Sequence, residues 1–173
     1  GDNGHYQPLG QCWYGYAYGA EQAWSGGQTE DQTFDPRFGR LTFGPGGEQV
    51  VEAMRELGRL NTLPGMPLPN ATRSIYALLD EPLVGEAAPA LPAATLDEIV
   101  RVCGNAERTL RAARSASRDQ LSIDEMVYSA RMMAYAARKA LASQQVRAAL
   151  GSGAPGEDAL ARAICTWREL DSE

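Results

Sequence analysis

Residues 14–27 read YGYAYGAEQAWSGG. Within them Ala20–Trp24 is a short, mostly apolar piece bounded by glycines, consistent with a buried strand but too short for its period to separate strand from helix. The choice decides the fold. A lone strand cannot satisfy its own backbone groups and needs neighbours in a sheet. No other segment of the chain is a convincing pairing partner. Either Ala20–Trp24 is not a strand, or the sheet it completes lies outside this chain.

Outward from that segment, the second half of the chain is plainly helical. Thr95-Leu-Asp-Glu98 has the form of a capping box, a hydroxyl with a carboxylate three residues on. Leu96, Ile99, Cys103, Ala106, Leu110 and Ala113 follow at three- and four-residue spacing, an apolar stripe along one helix face. A polar stretch over Ser115–Gln120 ends that helix. Ser122-Ile-Asp-Glu125 is a second capping box, and Ile123, Val127, Ala130, Ala134, Ala137 and Leu141 form the next stripe, running to about Leu150. Gly151-Ser-Gly153 suits a left-handed cap there. A third helix, about Glu157–Leu170, carries Leu160, Ile164 and Trp167 on one face.

The first half is different. DPRFGRLTFG from Asp35 predicts a helix with Pro36 in its first turn. Gly44–Gly47 interrupts it, and Glu48–Leu60 forms an amphipathic helix through Val50, Val51, Met54 and Leu57. Residues 61–93 hold six prolines and read as an irregular strap around one short helix near Thr72–Leu79. The chain therefore divides into 1–60, a proline-rich strap over 61–93, and a helical region over 94–173. Taken alone it is mainly α.

Composition excludes several functions. The 173 residues carry a net charge of -6 and a pI near 4.9, which argues against nucleic acid as a partner, since phosphate binding needs a basic surface. Cys12, Cys103 and Cys165 are odd in number and widely spaced, so they form neither a disulfide framework nor a CxxC site. Buried free thiols are the expectation. No apolar run approaches the roughly 18 residues of a membrane span, and no metal or cofactor is expected. Lys139 is the single lysine. Localisation is left open.

Chemistry concentrates at the start. Asp2, Asn3, His5, Tyr6 and Gln7 precede Trp13, Tyr14, Tyr16, Tyr18, Glu21 and Trp24. Sugar recognition uses this mixture, with flat rings to stack on a pyranose and carboxylates or amides for its hydroxyls. Other small ligands suit it too, and so does a plain core of aromatic residues. His5 has no second histidine and no HExxH spacing, which argues against a metal role; as a general base it would need a carboxylate partner such as Asp2, and a structural or substrate-contacting role is the expectation. Gly44-Pro-Gly-Gly47 lacks the lysine and spacing of a phosphate loop. Asp80-Glu81 and Asp97-Glu98 are acidic pairs without further catalytic context, and Met132-Met133 reads as core. Asn70-Ala-Thr72 fits a glycosylation pattern, a signal too short to decide anything.

Three segments in order, GDNGHYQPL, YGYAYGAEQAWSG and FDPRFGRLTFG, resemble the C-terminal end of family 20-type glycoside hydrolases, the β-N-acetylhexosaminidases. The resemblance covers residues 1–60 and implies the end of a (β/α)8 barrel whose active site lies at the C-terminal ends of its strands. On that resemblance Gly1–Gln7 is the loop leaving the seventh strand, Ala20–Trp24 is the eighth strand, and Asp35–Leu60 supplies the last barrel helices. A helical hairpin tail follows. Asp2, His5, Tyr18, Glu21 and Trp24 would contact substrate, with Trp24 as a wall of the pocket. Where the family often has a glutamate two residues after that tryptophan, this chain has Gly26.

The family's catalytic acid, a glutamate in an Asp-Glu pair after the fourth strand, would lie upstream of Gly1. The nucleophile in that family is the substrate's own acetamido group. The expected function is thus that of a C-terminal piece of a glycosidase removing terminal N-acetylhexosamine, silent alone, whose partners are a glycan and the rest of the barrel. The alternatives are a non-enzymatic carbohydrate-binding module and a helical protein-interaction domain.

Overall fold

A computed structural model of the chain describes residues 9–68, 71–82, 84–86, 90–151, and 161, 164, 165 and 168. The fold is mainly helical. Its elements are α1 (Leu9–Ser25), α2 (Asp31–Thr42), α3 (Gly47–Arg59), β1 (Pro67–Leu68), β2 (Ala71–Thr72), α4 (Arg73–Leu79), α5 (Ala93–Arg114) and α6 (Gln120–Gly151). The sole sheet among the described residues is the antiparallel pair β1–β2, two residues a side. The chain forms two compact units, 1–58 with 104–130, and 59–103 with 131–173. Both are discontinuous because α5 and α6 each give one stretch to each unit.

Ala20–Trp24 is not a strand. It is the last part of α1, a helix of 17 residues. The helix ends in a Schellman motif: Gly26 takes φ 64 and the Gly27 amide donates to the Gln22 carbonyl at 2.8 Å. Gly26 therefore stands where the left-handed backbone favours glycine over glutamate.

In the first unit, Phe34 and Phe38 of α2, Phe43, Val50 and Val51 of α3, Leu110 of α5, and Ile123 and Met126 of α6 make one buried core. Tyr14 and Tyr18 of α1 meet it edge-on, with Tyr14 5.5 Å from Phe34 and Tyr18 5.1 Å from Phe34 between ring centres. Gly44 (φ 81) and Gly46 (φ 78) turn the chain between α2 and α3. This turn brings Gly39 and Gly47 into backbone contact. The α2 helix starts four residues earlier than its proline predicts, so Pro36 sits inside it rather than at its first turn. One i→i−4 hydrogen bond is lost there.

Both expected capping boxes are used differently. Asp119 is the cap of α6, accepting from the Ser122 amide at 3.0 Å and the Ser122 hydroxyl at 2.6 Å. An aspartate three residues upstream outcompetes the serine because its carboxylate suits the positive end of the helix better. Glu125 acts on another helix. Its carboxylate accepts from the Gly10 amide near the described start of α1 at 2.7 Å, satisfying from α6 one of the amides at that end of the helix. Likewise α5 begins at Ala93, ahead of Thr95, whose hydroxyl donates to the Pro64 carbonyl at 3.1 Å.

The second unit holds the strap. Leu60, Met66, Ala77, Leu91, Leu96, Ile99 and Cys103 are buried in it. A ladder of donors on α6 ties down strap carbonyls that have no ladder of their own. Lys139 donates to Leu78 and Asp80 at 2.8 and 2.6 Å, closing the C-terminal end of α4. Ser143 donates to Pro82, Gln144 to Leu91 at 2.7 Å, and Arg147 to Gly85 at 2.5 Å. The single lysine is thus a fastening. Of the cysteines, Cys103 is buried, Cys12 half-buried and Cys165 exposed. Burial pushes the Cys103 thiol up to about 12, so it stays protonated at neutral pH. Met132 and Met133 are partly buried. Of the third helix expected over Glu157–Leu170, residues 161, 164, 165 and 168 are described, all helical.

Two glycines test the helical assignment of α1 directly. Methyl groups on Gly15 and Gly19 would meet open space. Gly15→Ala and Gly19→Ala are each expected to stabilise the first unit by up to about 1 kcal/mol, by restricting the unfolded chain. A rise in the urea midpoint checks this. A strand at 20–24 would give no such gain at Gly19.

Candidate functional site

The substrate residues expected from sequence fall on α1 or just before it. Asp2 and His5 lie outside the described residues. Tyr18, Glu21 and Trp24 are described, and the helix separates them. At 3.6 residues per turn, Tyr18 and Trp24 stand about 120° apart around the axis. They cannot converge on one sugar.

Tyr18 and Glu21 face the body of the first unit and are occupied there. The Tyr18 hydroxyl donates to Asp31 at 2.8 Å, and Glu21 pairs with Arg37 at 2.6 Å. Next to them Tyr14 donates to Asp35 at 2.6 Å. Arg55 of α3 reaches both aspartates, Asp31 at 2.7 Å and Asp35 at 2.6 Å. Gln22 donates to the Thr29 carbonyl at 2.6 Å. Two carboxylates one helical turn apart on α2 thus each accept a tyrosine hydroxyl on one oxygen and one arm of the same guanidinium on the other, so that Arg55 bridges them.

The protonation states follow from this arrangement. Asp31 is held below the usual carboxylate range, first by the Tyr18 hydroxyl and then by Arg55. Tyr14 is pushed well above an ordinary phenol, first by burial and then by its bond to Asp35. Tyr18 is raised chiefly by its bond to Asp31. Asp31, Tyr14 and Tyr18 are therefore each held in one charge state near neutral pH. A general acid or base has to change state, and this cluster is built to hold helices together.

Trp24 is on the other side of α1 and is 92% exposed. Trp13 and Tyr16 are 48% and 46% exposed, and Ala20 and Ala23 are exposed between them. These five residues fall within an arc of about 100° of the helix. The inward side of α1 packs Ala17 and the rings of Tyr14 and Tyr18 on the core and turns the two hydroxyls to Asp35 and Asp31, while an uncharged stripe points outward. The resemblance implies substrate contacts at Tyr18, Glu21 and Trp24, with Trp24 as a wall of the pocket. The signal for the true arrangement was present in the spacing of Trp13, Tyr16, Ala20 and Trp24 over the full 17 residues.

Among the described residues no group of His, Cys, Asp and Glu could hold a metal ion, and no helix is long and apolar enough to cross a membrane. An open cleft of about 490 Å³ lies at the start of α3, lined by Arg40, Gly44–Gly47, Glu48, Gln49 and Arg118. Arg40 is engaged there with Glu48 at 3.3 Å. No family model, no curated protein and no solved structure matches the chain.

Proposed function

We propose that this chain is the C-terminal part of a glycosidase resembling the β-N-acetylhexosaminidases, which removes terminal N-acetylhexosamine from glycans, and that it supplies substrate contacts but not the catalytic acid. The support for the reading is the order in sequence of GDNGHYQPL, YGYAYGAEQAWSG and FDPRFGRLTFG. In a (β/α)8 barrel a strand-end loop bearing substrate residues precedes the helix that follows the strand. The eighth strand is then assigned ahead of Asp2, and α1 is the helix after it. The helical state of 20–24 removes the earlier strand assignment without removing the motif order.

This shift relocates the sugar contacts. The pocket side of a barrel helix is its N-terminal end. Asp2 and His5 stand in sequence at that end of α1, whereas Trp24 lies about 22 Å further down the axis at 1.5 Å per residue. Asp2 and His5 keep their role as hydroxyl contacts. Tyr18 and Glu21 are structural, and Trp24 is no pocket wall. A second reading, a surface carbohydrate binder, is favoured by the exposed rings of Trp13 and Trp24.

The two readings separate experimentally. The chain alone, given a chromogenic N-acetylglucosaminide, is expected to release nothing, and N-acetylglucosamine is expected to leave its tryptophan fluorescence unchanged. Turnover by the chain alone would overturn the first reading, and saturable binding lost in Trp24→Ala would favour the second. In the polypeptide encoded by the complete reading frame, Asp2→Ala is expected to lower kcat/KM roughly 10- to 100-fold, the effect of one lost hydrogen bond to a charged group. Trp24→Ala is expected to leave KM and kcat within about twofold, the range of a change outside the site.

A further inference from the structure

We infer that residues 78–85, from the end of α4 onward, form a latch on α6 that opens and closes while the apolar core of the second unit stays shut. The latch is independent of the sugar chemistry proposed above.

Its fastening is a row of polar rungs. Lys139, Ser143 and Arg147 stand four residues apart on α6 and so share one face of that helix. Their donors meet successive main-chain carbonyls of the stretch. Lys139 reaches Leu78 at 2.8 Å and Asp80 at 2.6 Å, Ser143 reaches Pro82, and Arg147 reaches Pro82 at 3.3 Å and Gly85 at 2.5 Å. Lys139 is the first rung and sits at the C-terminal end of α4, where the partial negative charge of a helix favours a cation. That helix is seven residues long and buries Ala77, so it depends on this support.

Apolar burial does little to keep the stretch in place. Among its described residues Leu79 and Val84 are 77% and 78% exposed, and Leu78 and Pro82 are half-buried. The core residues Leu60, Met66, Leu96, Ile99 and Cys103 all lie outside it. On opening, the ammonium, the guanidinium and the freed carbonyls exchange protein partners for water, which returns most of what their bonds contribute. Opening the core has no such compensation, because apolar surface would meet water. A segment with few buried apolar contacts and polar bonds near solvent opens well before the whole unit does. Two amides report the event. Asp80 donates to the Tyr76 carbonyl and Gly85 to the Glu81 carbonyl, both at 2.8 Å, and a single turn does not persist once its support on α6 is gone.

Amide hydrogen exchange of the whole chain, read residue by residue by NMR, tests the latch. In the native protein the protection factors of Asp80 and Gly85 are expected to lie at least about 10-fold below those of Val102 and Cys103 in α5. Ile99→Val trims the core, and is expected to lower protection at Val102 and Cys103 about 2- to 10-fold. It is expected to leave Asp80 and Gly85 unchanged, because the latch opens with the core intact. Lys139→Met is expected to lower protection at Asp80 and Gly85 roughly 10- to 100-fold, the loss of a charged donor. Ser143→Ala is expected to act several-fold in the same direction and serves in its place should Lys139→Met fail to fold. Equal protection at all four amides would overturn the latch, and so would Ile99→Val lowering all four alike, since the stretch would then open only with the core. No protection at Asp80 and Gly85 in the native chain would overturn it too, as would protection there that neither α6 variant changes.

Discussion

Gly47→Ala is expected to destabilise the first unit by about 3 kcal/mol or more, at or above the usual range for overpacking. A Cβ built on Gly47 collides with the carbonyl of Gly39, and a Cβ on Gly39 would stand 2.6 Å from the carbonyl oxygen of Gly47. Both obstacles are backbone, so no rotamer change relieves them. The helices must separate. Phe34 and Phe38 on one side and Val50 and Val51 on the other are buried across this contact, so separation opens the core rather than a loop. A large fall in the urea midpoint, with loss of near-ultraviolet aromatic dichroism, is the expected readout. A midpoint unchanged within a few tenths of a kcal/mol would mean that the helices do not touch there. The same substitution at Gly15 and Gly19 has the opposite sign, because nothing faces those positions.

This contrast shows what was legible in the sequence and what was not. α3, α5 and α6 announce themselves because their apolar stripes face a core and recur at helical spacing over many turns. α1 misleads because it carries aromatic residues both outward and inward, where Tyr14, Ala17 and Tyr18 pack on the core. Judged over five residues, Ala20–Trp24 has no period. Judged from Leu9 to Ser25, Trp13, Tyr16, Ala20 and Trp24 recur helically, and Gly26-Gly27 marks a stop. The stripe was readable, but its direction was not, since sequence cannot say that an apolar face lacks a cover. Asp119 beating Ser122 to the helix cap was a local competition that the sequence displayed. The roles of Glu125 on α1 and of Lys139 on the strap are long-range contacts, separated by 115 and about 60 residues, and no motif encodes them. Asp2 and His5 remain assigned by resemblance to the family.

Arg55→Met is expected to cost about 2 kcal/mol and to change the pH profile of stability in one direction only. The substitution keeps the length and apolar stem of the side chain but removes both guanidinium contacts. Asp35, the more buried aspartate, then keeps only its tyrosine partner, and the two carboxylates face each other one turn apart on α2. Losing a charged hydrogen-bond partner costs roughly 1.5–3 kcal/mol when the group left behind is partly buried, and like charges at this spacing add a few tenths.

In the native protein Asp31 sits below the ordinary value of 3.8 in the folded state. Its contribution is therefore fully present above pH 3.8 and is lost as the pH falls from there. Removing Arg55 removes part of that difference, so the variant is less stable at neutral pH but loses less on acidification. The alkaline limb behaves differently. Tyr14 is raised above its ordinary value of 10.0 by burial first and by Asp35 second, and the Arg55 charge opposes that rise, so removing Arg55 does not diminish it. Its stabilisation is present below pH 10 and drains as the pH rises above it, in both proteins. Urea midpoints measured from pH 2.5 to 11 should show a flatter acid limb and an undiminished alkaline one. An acid limb as steep in Arg55→Met as in the native protein would show that the bridge across α1, α2 and α3 is not held by this arginine.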